Sequence, residues 1–212
     1  MREFEITRAR KSDAEALAAL EAVCFPPEEA ATLAGFEARL DAFGDWFFVA
    51  KTPDGEIIGM IDGMATDEAS IADEMFEDAS LHKPNGRVQT VFGLDVLPQW
   101  RHRGVAGVLM DAFVEAAKQA GREKVTLTCK KRLIGMYEHF GFRLIGQARS
   151  EHGGAQWFDM DLDLRKKPTV FQKKSIFYRK SVAFHALFCY NTGRNMFRRC
   201  PCDERKGNFN HG

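Results

Sequence analysis

The sequence predicts a mixed α/β sandwich built as one domain, and three observations carry that expectation. Short apolar runs of strand character alternate with stretches whose apolar residues recur at helical spacing. A strand–helix–strand unit between residues 88 and 129 requires a crossover connection, hence a local parallel pair or a splay in the sheet. The 212 residues, 45% apolar and 28% charged, supply a sizeable core and exclude global disorder.

The elements follow in order. Residues 3–9 alternate, with Phe4 and Ile6 among charged neighbours, and form a first strand. Ser12 followed by Glu15 is a capping-box spacing, and Leu17, Leu20 and Cys24 then mark a helix. Pro26 and Pro27 break it. A second helix is expected over 28–43, with Leu33, Phe36, Leu40 and Phe43 on one face and Gly44 as its stop. Residues 46–51 and 57–65 are two strands joined by the turn Thr52-Pro53-Asp54-Gly55. Residues 67–78 hold six acids in twelve positions, a solvated helix or a mobile loop. A long strand at 88–96 precedes a helix at 104–120 that turns Val108, Leu109, Ala112, Phe113 and Ala116 inward. A strand at 125–129, a short helix at 133–140, and strands at 142–148 and 156–162 complete the pattern.

Formal net charge is zero, with 30 basic and 30 acidic residues, but the two signs are segregated. From Arg165 onward there are twelve Lys or Arg and two acids, so residues 1–164 carry an equal and opposite excess of acid. The boundary divides a domain at 1–164 from a basic, aromatic-containing extension at 165–212, expected to be poorly ordered. An acidic body argues against nucleic acid as its ligand. The extension interleaves Phe171, Ile176, Phe177, Phe184, Phe188 and Phe197 with Lys and Arg. It could contact RNA, anionic lipid or an acidic partner. No apolar run reaches the length of a membrane span, and the first residues lack a signal-peptide pattern. Together with five cysteines, an odd number, this points to reduced thiols and a cytoplasmic setting. Cys200 and Cys202 alone do not make a zinc site, and no metal is expected.

The most informative segment is 94–107, Leu-Asp-Val-Leu-Pro-Gln-Trp-Arg-His-Arg-Gly-Val-Ala-Gly: a strand, a basic turn, then a glycine opening an amphipathic helix. Unpaired N–H groups at a helix start, small residues, and the charges of Arg101 and Arg103 together suit a pyrophosphate. The G-K-[ST] ending of a P-loop is absent. An ordinary strand-to-helix turn with solvated arginines is the rival explanation of this segment on its own.

This R-x-x-G-x-A turn, a strand at 125–129, and the phrase Tyr137-Glu138-His139-Phe140-Gly141-Phe142 resemble the GNAT superfamily of N-acetyltransferases across about residues 3–164. Within it, Thr128-Cys129 and Met136 to Phe142 resemble the arylalkylamine (serotonin-type) branch and its bacterial relatives. The resemblance implies a three-layer α/β/α sandwich around a mixed, splayed sheet of about seven strands. It also implies acetyl-CoA as cosubstrate and an acyltransferase that moves acetyl directly to a primary amine, a small aralkylamine or a polyamine. It assigns the cosubstrate to Leu94 and Val96 of the strand and to Arg101, His102, Arg103, Gly104, Val105, Ala106 and Gly107 of the turn and helix. Tyr137 becomes the acid that protonates the leaving thiolate, since a phenol and a thiol have nearby pKa values. Phe25, Glu28 and Phe92 would line the acceptor pocket, with Phe36 a further candidate and residues 67–78 an acidic lid. The serotonin-type enzymes of animals carry two histidines where this chain has Thr90 and Phe92, so the general base falls among Glu28, Asp62, Asp95, His82 and His152. Cys129 reads as buried filler and His139 as exposed. Alternatives are a non-catalytic acyl-CoA-binding module or a peptide amine as acceptor; a homodimer stays open.

Overall fold

The computed structural model describes residues 3–150 and 152–165; the expected extension lies outside them except for Arg165. Strand β1 is Glu5–Arg8. Helix α1, Ala14–Cys24, buries Ala14, Leu17, Leu20 and Glu21. The cap expected from Ser12 and Glu15 does not form: residues 11–13 make a 3-10 turn, closed by the Asp13 carboxylate accepting from the Arg10 N–H at 2.9 Å, and α1 follows it without a side-chain cap. Helix α2 is Leu33–Phe43 and begins five residues later than its apolar spacing suggested. The intervening chain turns at Pro26, whose carbonyl accepts from the N–H groups of Glu29 and Ala30. The Thr32 hydroxyl then caps the helix at the Gly35 N–H, 3.1 Å away.

Strands β2 (Phe48–Lys51) and β3 (Ile57–Asp62) form the expected hairpin, followed by the two-residue β4 (Ala65–Thr66). The acidic stretch is mostly irregular and holds one helical turn, α3 (Glu74–Glu77), anchored by buried Met75. Strands β5 (Val88–Val91) and β6 (Gly93–Val96) precede helix α4 (Val105–Gln119). Strand β7 (Lys124–Lys130), helix α5 (Ile134–His139), and strands β8 (Arg143–Gln147) and β9 (Trp157–Asp163) complete the fold.

The nine strands among the described residues form two sheets, ordered β1-β2-β3-β6 and β4-β5-β7-β9-β8. The count exceeds seven because two expected strands each divide, at 63–64 and at Phe92. The second break is the important one. The Phe92 N–H donates to the Asp62 carbonyl at 2.8 Å, while Gly93 also sits opposite Asp62 in register. Two residues against one is a β-bulge, which bends the strand and ends its pairing. Upstream, β5 pairs parallel with β7; downstream, β6 pairs antiparallel with β3. One residue therefore carries the chain from one half-sheet to the other, and the two halves part between β6 and β7.

Helices cover both faces. A Cβ built on Gly59 of β3 would meet Val105 and Leu109 of α4 at 3.2 Å; one built on Gly93 of β6 would face Glu21 of α1 at 3.7 Å. Alternation puts these two glycines on opposite faces, so α4 and α1 sandwich the first sheet. Under α4 the rings of Trp46 and Phe48 meet Phe113 edge-on at 5.7 and 5.8 Å.

Candidate active site

Strand β6 borders the gap with its free edge. Leu97 donates to the Ile58 carbonyl at 3.0 Å. By antiparallel alternation Asp95 then bonds β3, whereas Leu94 and Val96 turn their backbone groups toward the gap. The Val96 carbonyl is already engaged, accepting from Arg101 Nε at 3.1 Å and from the Cys24 thiol at 3.5 Å. Its N–H and both groups of Leu94 face the space between the half-sheets.

At one end of that gap lies the start of α4. Arg101, His102, Arg103 and Gly104 are exposed. His102 (φ 61°) and Gly104 (φ 82°) both take left-handed backbone, which folds the turn back over the helix axis. Val108 is the first residue to donate into the helix, at the Gly104 carbonyl, so the N–H groups of Val105, Ala106 and Gly107 point out of its start. A side chain at Gly104 would meet nothing within 4 Å, so glycine answers the positive φ there. Arg103 lies over Trp100 at 5.0 Å and 3.9 Å from the Glu3 carboxylate. This set of outward N–H groups, cationic side chains and small residues fits a phosphate-bearing ligand.

Beside the gap stands Tyr137 on α5. It is buried, with Phe142 and Phe140 edge-on at 5.8 and 6.3 Å. Burial pushes its hydroxyl well above the ordinary tyrosine value, and Cys129 and Asp95 push it further. Tyr137 is thus held in its protonated form. Cys129 is buried against Met160, and burial raises its thiol to about 11, so it is filler rather than a thiolate. His139 is exposed, as its spacing from Tyr137 implied.

On the face of β6 covered by α1, three carboxyl groups converge. Asp62 is fully buried, Asp95 is 1% exposed and Glu21 is 5% exposed. The Arg39 guanidinium lies 3.5 Å from Asp62 and donates to the Phe76 carbonyl at 2.8 Å. Burial raises Asp62 to about 6, against the pull of Arg39 and the Gly93 N–H. Glu21 rises to about 7 by burial and by Asp62. Asp95 is driven well above the carboxylate range by burial, then by Glu21 and Asp62.

Asp62 and Asp95 are candidates on the sequence alone; Glu21 and Arg39 emerge only from the structure. Their signal was present. Glu21 falls between Leu17 and Cys24 on the buried face of α1, and Arg39 between Phe36 and Leu40 on that of α2, where a charge must find a partner.

The acceptor-side candidates separate. Phe92 is half-buried, 4.9 Å from Phe76 and 6.2 Å from Phe43, with the Arg39 guanidinium 5.1 Å from its ring. Phe25 is half-buried and Glu28 exposed. Phe36 belongs to the core, fully buried, and does not line the pocket. Glu29, which no sequence pattern singles out, ties this loop to β7 and to the β8–β9 loop. Its carboxylate pairs with Lys130 at 2.6 Å, and its carbonyl is 3.2 Å from His152 Nε2. His152 stacks on Phe76 at 4.9 Å. His82 accepts from the Ala65 N–H at 3.0 Å and borders a different cavity of about 560 Å³, with Arg8, Trp46 and Pro84. Thr90 donates to the Met64 carbonyl at 3.0 Å and is fully buried. Among the described residues no group of three or more His, Cys, Asp or Glu is arranged to hold a metal ion, and no helix is long and apolar enough to cross a membrane.

A split sheet, an open helix start at one end of the split and a protonated tyrosine beside it are the features this region brings together. The chain belongs to the Acetyltransferase (GNAT) family, whose model matches residues 14–142. Serotonin N-acetyltransferase of Mesocricetus auratus is 26% identical over 113 residues, 53% of each chain, so this chain spans about half the length of that curated relative. The loading GNATL domain of CurA from Lyngbya majuscula has a similar fold, with TM-score 0.67 and 15% identity over 78% of this chain and all of that one. So has yncA from Salmonella typhimurium, a putative acetyltransferase with its cofactor acetyl-CoA: TM-score 0.58, 16% identity, 79% of this chain and 98% of that one.

Proposed function

We propose that this chain transfers the acetyl group of acetyl-CoA directly to the nitrogen of a primary amine, a small aralkylamine or a polyamine. One observation carries the reading: the gap along Leu94 and Val96 runs between the open helix start at Gly104–Gly107 and buried, protonated Tyr137. The pantetheine arm is amide-rich and extended, so the free edge of β6 suits it. The turn Arg101–Gly104 and the N–H groups of Val105, Ala106 and Gly107 take the pyrophosphate. A Leu94 N–H aimed at the thioester carbonyl stabilises the oxyanion that forms on attack.

The neutral amine attacks that carbonyl, the carbon–nitrogen bond forms, and the carbon–sulfur bond breaks. Tyr137 gives its proton to the departing thiolate and regains one from the acylated nitrogen. No side chain is acylated on the way, which agrees with a buried, protonated Cys129. Phe25, Glu28 and Phe92 form the acceptor wall, and the acidic surplus of residues 1–164 favours a cation there.

The test is thiol release and product mass over a panel of amines with labelled acetyl-CoA. Turnover with an aralkylamine or polyamine is expected. Tight acetyl-CoA binding with no thiol release on any amine would instead support a non-catalytic acyl-CoA-binding module, the reading that Thr90 and Phe92 at the histidine positions favour.

A further inference from the structure

The acyl transfer needs a group that takes a proton from the incoming ammonium, and neither Thr90 nor Phe92 can. We propose that Glu21, Asp62 and Asp95 together are that proton acceptor, a shared-proton cluster set against the bulge where β6 begins. The proposal rests on the amine acetyltransferase reading given above and names the base it lacks.

Three elements aim carboxylate oxygens at one point. A Cβ on Gly93 would stand 3.1 Å from Asp62 Oδ1, 3.2 Å from Asp95 Oδ2 and 3.7 Å from Glu21 Oε2. Only glycine leaves that point open. Among the described residues neither oxygen of Asp95 has a hydrogen-bond partner, and Glu21 Oε2 has none either. A buried oxygen without a partner carries an uncompensated desolvation cost, and a catalytic role is one of the explanations such a group calls for.

The cluster also has a direction. Glu21 Oε1 accepts from the Ala31 N–H at 2.7 Å, so this carboxyl holds the loop that carries Phe25 and Glu28. At the opposite side Asp95 influences Tyr137 and Cys24 and feels Arg101. The groups facing the cluster are therefore Cys24 from α1, Arg39 from α2, Arg101 from the turn before α4, and Tyr137 from α5. Three acids meet one close cation, Arg39. Like charges this near cannot all ionise, so the set keeps protons near neutrality and exchanges them as a unit.

The step balances. The ammonium gives one proton to the cluster and becomes a neutral amine. The nitrogen lone pair forms the bond to the acetyl carbon, and the thiolate leaves with the electrons of the carbon–sulfur bond. The second nitrogen proton reaches the thiolate by way of Tyr137, and the cluster proton returns to solvent.

The experiment is the pH profile of kcat/KM for the full chain, wild type against Glu21→Gln and Asp95→Asn, with an amine that the wild type acetylates. Both changes preserve volume. Expected at pH 7 is a loss of about a hundredfold, the low end for general base catalysis. That loss should shrink as the pH approaches the amine's own pKa, with acetyl-CoA affinity by calorimetry unchanged. A pH 7 rate within threefold of wild type overturns the proposal. So does an equal loss at every pH, which marks a positioning role. If a variant does not fold, carboxyl carbon NMR of the wild type decides: a carboxyl titrating near neutrality supports the cluster, and three titrating below pH 5 overturn it. A wild type that releases no thiol with any amine fails the underlying acetyltransferase reading instead, before any variant is compared.

Discussion

The two ends of β6 are built on opposite principles. At its C-terminal end the candidate site is basic and contiguous in sequence, from Arg101 to Gly107, with Arg101 to Gly104 exposed. At its N-terminal end the site is buried, acidic and gathered from α1, β3 and β6, around Gly93. The first end uses backbone geometry: a helix start presents N–H groups whatever the neighbouring side chains are. The second depends on side chains brought together only by the finished fold. A ligand of fixed chemistry can be met by a local motif; a proton of adjustable affinity needs low dielectric and neighbours.

The largest expected effect separates chemistry from binding at the junction of the two ends. Tyr137→Phe removes the thiolate's acid and should lower kcat by about a hundredfold or more. The dissociation constant for acetyl-CoA by calorimetry should move less than threefold. Unchanged turnover would show that the acid end works without Tyr137.

Next comes a stability effect that belongs to the acidic end alone. Asp62 and Glu21 hold protons in the folded state, near 6 and 7, that the unfolded chain releases around 4. The folded state then binds more protons between pH 4 and 7, so unfolding free energy falls as pH rises through that window. The loss is on the order of 3 kcal/mol per group at most, since each tenfold change in proton affinity is worth about 1.4 kcal/mol. Melting at pH 5 should therefore exceed melting at pH 8, and Glu21→Gln should flatten the difference. Exposed Asp54, Asp67 and Asp78, which are pulled low by local hydrogen bonds, act below this window and do not disturb it.

A smaller effect is expected at the basic end. Gly104→Val places a β-branched residue at φ 82° and should weaken acetyl-CoA binding by roughly tenfold, the equivalent of about 1.4 kcal/mol of backbone strain. Smallest of all is removal of residues 166–212, which should leave the melting temperature and acetyl transfer unchanged. Loss of soluble, active protein on that deletion would unite the extension with the body.

The same contrast explains what was legible in the sequence. The strand-to-helix turn at 101–107 and the short helix that carries Tyr137 were readable as local structure because each is a short pattern inside one passage between elements. The α4 helix was legible because Leu109, Ala112, Phe113 and Ala116 all face one way; Val108, expected among them, is only half-buried, and Val105 takes the inward place instead. The division of residues 88–96 was not, since a bulge at Phe92 depends on Asp62, thirty residues upstream. Glu21 and Arg39 were hidden for the same reason: each looks like an intrusion into an apolar face until its partner is known. Helix α2 was over-extended because Glu28 to Thr32 favour a helix locally, and only the Pro26 turn and the Thr32 cap remove them from it.

Among the described residues strand β8 is the last strand of the second sheet, and Leu144 and Ile145 there are 45% and 62% exposed. Such an edge invites another strand to add to it. The register shift between Leu144 and Gly146 interrupts the ladder midway, and Arg143 puts a charge at its start. An incoming strand would find neither a continuous row of partners nor a neutral approach. The irregularity in β8 thus acts as protection against edge-to-edge aggregation, and straightening it would be expected to shorten the protein's life in concentrated solution.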